Sequence, residues 1–272
     1  MTKIVLLAPI FNSLYARLVA FGLAKEKGIE INAIIVRSHW NIQRIRSEFD
    51  RDGVRKLYKI YNKLLVGDKR YSNIETSNLA ALAQEWRLPY KSLKELARKF
   101  NIPYKVVSNL NHLKSVEFVK RIDPDIILFT GGGLLRQPIL DIPRKGVLNC
   151  HTGILPQYRG MDVVEWTAIE KNIDTVGYGA TLHFMDRGVD TGPILLKKTI
   201  TPKIESSYAI IRAELEVLMV QLMIDGVKGL NAETIVARPQ VPGDGRQYFV
   251  MHPRVIAVAA AMIRKTNQSF FS

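Results

Sequence analysis

A chain of 272 residues with one cysteine, Cys150, and a formal charge of +14 excludes several classes of protein. A single thiol builds no intrachain disulfide framework, and no apolar run approaches the roughly 20 residues of a membrane-spanning helix. The length suffices to bury a core, and the excess of base suits an anionic partner (nucleotide, phosphorylated metabolite, RNA or membrane surface) or a merely solvated basic face.

Lys3–Ala8 reads as a buried strand, Ser13–Lys25 as a helix and Ile31–Val36 as a second strand. The stretch 40–70 interleaves Arg44, Arg46, Arg51, Lys59 and Lys63 with Ile45, Phe49, Leu57 and Tyr61. That is an amphipathic helical pattern with one apolar stripe, read as a basic insertion. The core, a second copy of the chain in a homodimer, or another partner would each accept the stripe. Helices follow at Asn78–Trp86 and Ser92–Phe100, a short strand at Tyr104–Val107, a helix at Leu113–Arg121 and a strand at Asp125–Thr130. Strands and helices in this alternation predict an α/β fold, a Rossmann-like, mostly parallel sheet with helices on both faces. Ligands of such sheets bind beyond the carboxyl ends of the strands.

Gly146–Cys150 reads as the next strand, residues 152–160 as a loop and Asp162–Glu170 as a helix. Val176–Phe184 and Pro193–Ile200 are strands with too short a connection for a crossover, so they predict an antiparallel hairpin. Ser207–Lys228 is a long helix. Pro239, Pro242, Gly243 and Gly245 then break regularity before a last helix from Pro253 to about Lys265. The expected organisation is one catalytic domain over residues 1–230 and a C-terminal extension over 231–272.

Two segments carry chemistry. In the first, Asn149 and His151 lie two apart at the end of an apolar strand, so both side chains share one face and Cys150 takes the other. An amide donor beside an imidazole can stabilise negative charge developing on a carbonyl oxygen, although two polar residues can equally just close a strand end. In the second, Asp190 falls in a turn between strands, with Thr181 and His183 alternating on one strand face. A carboxylate beside an imidazole can set its protonation or act as a base, yet Asp is also a common turn residue. Cys150, directed away, reads as a small buried residue rather than a nucleophile.

Taken together, Asn149-x-His151, the loop Leu155-Pro-x-x-Arg159-Gly160 and His183-x6-Asp190-x-Gly192 resemble the folate-dependent formyltransferases. That family includes methionyl-tRNA, glycinamide ribonucleotide and sugar-nucleotide formyltransferases. The resemblance is dense over residues 123–200. It implies 10-formyltetrahydrofolate as co-substrate, a primary amine as acceptor, and Asn149, His151 and Asp190 as the catalytic trio. It also implies folate contacts from Gly132, Gly133, Leu134 and Leu135, and from Met185, Asp186, Gly188 and Val189. In this reading His151 is an imidazolium, His183 braces Asp190, and Arg159 with Gly160 shapes the loop closing over the site. No metal is required.

Three features depart from the family pattern. Gly153 stands where the family usually has Ser, with Thr152 the nearest hydroxyl. The loop Ala8–Ser13 lacks the Gly-rich form with which glycinamide ribonucleotide formyltransferase holds a phosphate, and the segment after the core is short for the OB-fold domain of methionyl-tRNA formyltransferase. The last two favour a small anionic acceptor, an amino sugar on a nucleotide, over either alternative. With the first strand beginning at Lys3, a formyltetrahydrofolate hydrolase with a preceding regulatory domain is disfavoured. Outside the family, His151, His183 and Asp190 would suit a metal-dependent hydrolase, but no H-x-x-E or H-E-x-x-H spacing accompanies them. A non-catalytic RNA-binding module would rest on charge alone, so nucleic acid is not the favoured partner. Lacking a cleavable signal pattern, the chain is expected in the cytoplasm.

Overall fold

The computed structural model describes residues 1–38, 78–131, 133–202, 207–241 and 243–269. The basic stretch 40–70 and Gly132 therefore lie outside the described residues. The strands are β1 (Thr2–Ala8), β2 (Ile29–Arg37), β3 (Tyr104–Val107), β4 (Ile126–Phe129), β5 (Gly146–His151), β6 (Tyr158–Gly160), β7 (Tyr178–Phe184), β8 (Ile194–Ile200) and β9 (Arg246–Tyr248). The helices are α1 (Leu14–Leu23), α2 (Leu79–Glu85), α3 (Leu93–Lys99), α4 (Leu113–Ile122), α5 (Gln137–Leu140), α6 (Val163–Ile169), α7 (Tyr208–Asn231) and α8 (Pro253–Ser269).

Alternation along β1 divides its side chains between two cores. Ile4, Leu6 and Ala8 pack with Leu18, Leu23, Ile211, Leu215 and Met223 of α1 and α7. Val5 and Leu7 face the other way, against Val116 and Val119 of α4 and Ile139 of α5. Both sheet faces are thus covered, which is why the strands read as continuous apolar runs. The 7-stranded sheet runs β3-β2-β1-β4-β5-β7-β8. Its first five strands are parallel; β7 pairs antiparallel with β5 and with β8, so the expected hairpin forms. Among the described residues no helix is long and apolar enough to cross a membrane.

Several helix boundaries follow from capping chemistry. Ser13, Asn78, Ser92 and Ser207 each accept a first-turn N–H with the side-chain oxygen, satisfying a donor the helix leaves free. Asp123, at φ 53°, ends α4 just before Pro124, which cannot continue it. Gly226 lets α7 settle on β7: a Cβ there would lie 1.9 Å from Leu182 Cδ2.

The short strands β6 and β9 form a separate parallel pair, placing part of the C-terminal segment beside the loop that follows β5. Neither was expected. Three residues carry no usable periodicity, and each strand exists only because the other is opposite. The extension is tied further through an ionic knot with a buried carboxylate at its centre. Glu165 of α6 is 2% exposed and receives Arg212 Nη2 of α7 at 2.7 Å; Arg212 also reaches Asp162, whose other oxygen accepts the Met251 N–H. Removing the guanidinium would strand a carboxylate in the core. Arg212→Ala should therefore cost about 3–5 kcal/mol of unfolding free energy, measured in guanidinium chloride. A loss below about 1 kcal/mol would mean that Glu165 survives by taking up water or a proton.

Candidate active site

The register of β5 on β7 assembles the site. Asn149 lies opposite His183, and His151 opposite Thr181. Residues directly opposed on antiparallel strands share a face, so these four side chains meet on one side of the sheet. Leu148 and Cys150 enter the core on the other side, as alternation predicts. Asn149 Nδ2 stands 3.2 Å from His183 Nε2.

Asp190 completes the group from the turn between β7 and β8. Its Oδ2 is 3.4 Å from His151 Nδ1 and its Oδ1 is 3.4 Å from His183 Nε2. The backbone N–H of Gly160 donates to Oδ2 at 2.9 Å. The carboxylate is 14% exposed, the two rings 7% and 1%. The structure thus brings together all three expected members of the trio, with His183 against Asp190 and Gly160 against its carboxylate.

The far side of each ring fixes where its proton sits. His151 Nε2 lies 2.8 Å from the Tyr158 carbonyl, and His183 Nδ1 lies 2.8 Å from the Phe184 carbonyl. A carbonyl only accepts, so both nitrogens carry hydrogen. In a neutral ring the opposite nitrogen is then a lone pair. At His183 the opposite nitrogen meets both the Asn149 amide at 3.2 Å and Asp190 Oδ1 at 3.4 Å, so a neutral ring accepts from the amide and a protonated one donates to the carboxylate. At His151 the lone pair faces the Asp190 carboxylate with no hydrogen between them, an arrangement ready to take up one proton.

Burial lowers the pKa of His151, and the opposing pull of Asp190 does not overcome it. Burial also works against charge on Asp190, but in acid, where the rings are protonated, the His183 hydrogen bond, the charges of both rings and the Gly160 N–H bring its pKa down to about 2. The two groups compete: the carboxylate is best served by a charged ring, which the buried ring resists. Burial is the largest influence on His151, so near neutral pH the pair is a carboxylate beside a neutral imidazole. This differs from the imidazolium implied by the family resemblance.

The expected folate-contacting residues divide by exposure. Leu134 is 77% exposed, with its carbonyl held by Asn111 Nδ2, whereas Leu135 is 8% exposed and packs in the core beside Phe129 and Ile139. Met185 is half-buried and donates its N–H to the Val147 carbonyl. Asp186 closes the turn by accepting from Gly188 N at 3.0 Å and Thr191 Oγ1 at 2.6 Å. Gly133 and Gly188 are exposed, Val189 half-buried.

Sequence reasoning missed two supports. The buried Thr181 hydroxyl donates to the Gly153 carbonyl at 2.6 Å and accepts from Leu155 N, so this hydroxyl steadies the loop after β5. Its alternation with His183 was the available signal. The second is Gln240, in the C-terminal segment. It receives Arg159 and donates to the carbonyls of Asp190 and Gly192, and nothing in its sequence neighbourhood advertises this. Among the described residues, no group of three or more His, Cys, Asp and Glu is arranged to hold a metal ion.

A family model described as formyl transferase matches residues 89–226. The methionyl-tRNA formyltransferase of Syntrophus aciditrophicus is 34% identical over 126 residues, 46% of this chain and 39% of that protein. The chain thus matches about two fifths of the length of that relative. Glycinamide ribonucleotide transformylase 1 from Symbiobacterium toebii superposes with a TM-score of 0.57 at 15% identity, covering 89% of this chain and 95% of that one. A sugar N-formyltransferase from Shewanella sp. FDAARGOS_354 gives a TM-score of 0.56 at 12% identity, covering 96% and 87%. At these identities the two structures show a shared fold.

Proposed function

This chain belongs to the formyl transferase family, and from that premise we propose that it moves a formyl group from 10-formyltetrahydrofolate to a primary amine. The observation that carries the reading is the convergence of Asn149, His151, His183 and Asp190 on one sheet face. The residues present suit the co-substrate. One Asn149 N–H is engaged by His183, leaving a second to meet a carbonyl oxygen. Leu134 offers an exposed apolar side chain just after Gly133.

When bound, 10-formyltetrahydrofolate supplies the formyl carbon that the amine attacks. Asn149 donates its free N–H to the formyl oxygen as negative charge develops there; one such donor is worth about two to three orders of magnitude in rate. The His151–Asp190 pair receives the proton that the attacking amine sheds, directly or through one water, and returns it to N10 as the bond between N10 and the formyl carbon breaks and tetrahydrofolate leaves. His183 holds Asn149 and Asp190 in register. An amino sugar on a nucleotide is the favoured acceptor, its anionic diphosphate suited to the chain's positive charge. Methionyl-tRNA is the second reading, favoured by the 34% identity to a methionyl-tRNA formyltransferase.

The test mixes the purified protein with 10-formyltetrahydrofolate and a panel of amino-sugar nucleotides, glycinamide ribonucleotide and methionyl-tRNA. Tetrahydrofolate release should depend on one amine and vanish in a His151→Ala control. Release without any amine would instead indicate hydrolysis, and no release from any mixture would overturn the proposal. The rate should also fall on acidification only below pH 6.5, the ordinary histidine value, because burial keeps His151 an acceptor to lower pH. An acid limb above 6.5 would contradict that assignment.

A further inference from the structure

We propose that Gln240, from the C-terminal segment, is a positioning residue for Asp190, so that residues 238–241 and 246–248 help to complete the active site. The inference rests on the formyl-transfer reading for its kinetic test but not for its structural one.

Gln240 uses its whole hydrogen-bonding capacity on two loops. Its Nε2 donates to the Asp190 carbonyl at 2.9 Å and to the Gly192 carbonyl at 2.7 Å. Its Oε1 accepts from Arg159 Nε at 3.2 Å and Nη2 at 3.1 Å. Two donors and two lone pairs are therefore all satisfied, which leaves the amide one orientation. Asp190 needs such a hold because its φ of 55° lies in the left-handed region, where a residue with a Cβ is strained.

The same segment reaches the aspartate by other routes. Arg238, two residues before Gln240, exchanges a pair of backbone hydrogen bonds with Ile194 at 2.8 Å each, setting the segment against the start of β8. Further along, β9 pairs with β6, placing Tyr248 beside Gly160, whose N–H holds the Asp190 carboxylate. Backbone and side chain of Asp190 are thus both anchored through this segment. Gln240 contacts none of the reacting side chains and acts on them through the loops that carry Asp190 and Arg159.

Glutamate at this position separates the two roles of the amide. Gln240→Glu keeps the acceptor for Arg159 but turns an oxygen toward the carbonyls of Asp190 and Gly192, repelling both. A simple staple between the segment and Arg159 would survive it; a device for placing Asp190 would not. The variant should lose about tenfold in kcat with KM for the folate unchanged, since a displacement below 1 Å at a reacting group carries losses of this order. Among the described residues, the ionisable groups facing His151 are Asp190 and His183. Withdrawing Asp190 removes an upward pull, so the His151 titration, read by ring-nitrogen NMR, should move to lower pH.

A variant with parental kcat and parental His151 titration overturns the proposal. So does a fall in kcat matched by a fall in melting temperature while the titration stays put, because that is loss of fold. Should the parent transfer no formyl group at all, the functional reading fails, and the NMR titration of the two proteins still decides the positioning role. If the glutamate variant does not fold, Gln240→Asn, one methylene too short to reach both carbonyls, is read in the same ways.

Discussion

An Asp190→Asn variant should retain its fold and lose about a thousandfold in kcat, the mid-range for removing a positioned acid–base partner. In the parent, the lone pair on His151 Nδ1 and the carboxylate face each other across 3.4 Å and together accept a proton. An asparagine amide can turn its NH2 toward that nitrogen and occupy the lone pair, leaving the amine's proton nowhere to go. The pH profile should change with the rate. Asp190 opposes the effect of burial on His151, so its loss lowers the His151 pKa further and moves the acid limb to lower pH. Stability supplies a third reading. The folded-state pKa of about 2 lies below the ordinary 3.8, so the charged carboxylate stabilises the fold above pH 3.8, and that contribution is lost as pH falls toward 2. The variant should accordingly be less stable than the parent above pH 3.8, with the gap closing in acid. A variant within tenfold of the parental rate would remove Asp190 from the proton path.

The strands and the two-faced core were legible in the sequence because each leaves a local signature, whereas the trio was reached only through the family resemblance. Buried parallel strands read as apolar runs. Asn149 and His151 share a face through period-two alternation, and the β7–β8 connection was too short to be anything but a hairpin. The supports were not legible, because they are made by contacts distant along the chain. The Tyr158 carbonyl that orients His151, the Gly160 N–H that holds Asp190 and the Gln240 amide are backbone or remote groups. Their identities carry no pattern. The protonation of His151 was illegible for the same reason: an imidazole written beside a carboxylate suggests charge, and only the depth of burial reverses it. Of the expected folate contacts, Leu134 and Leu135 are neighbours in sequence, yet one is exposed and the other is spent in the core.

Gly153 stands where the family resemblance leads one to expect Ser, and its neighbourhood gives that difference a testable meaning. A Cβ at 153 would stand 2.7 Å from His151 Nε2 and 3.0 Å from both His151 Cδ2 and the Tyr158 carbonyl. One side must give. Tyr158 is 2% exposed, its hydroxyl donates to Glu170 at 2.9 Å and accepts from Asn172 at 2.8 Å, and its ring stacks on Tyr248 with centroids 5.2 Å apart. The imidazole, held by single contacts, is the part that moves. Gly153→Ala should therefore break the bond between His151 Nε2 and the Tyr158 carbonyl and carry Nδ1 off Asp190. The expected loss is about a hundredfold in kcat with little change in melting temperature. Gly153→Ser should displace the ring equally but offer a hydroxyl that accepts the Nε2 hydrogen in place of the carbonyl, and so regain part of the rate. It should also return the acid limb toward its parental position, because that hydrogen bond raises the His151 pKa. Alanine and serine variants that both matched the parent would show the Tyr158 carbonyl to be dispensable. With the expected ordering of parent, serine and alanine, the absent side chain reads as a substitution of partners: here a backbone carbonyl orients the imidazole, and only a residue without a Cβ leaves room for it.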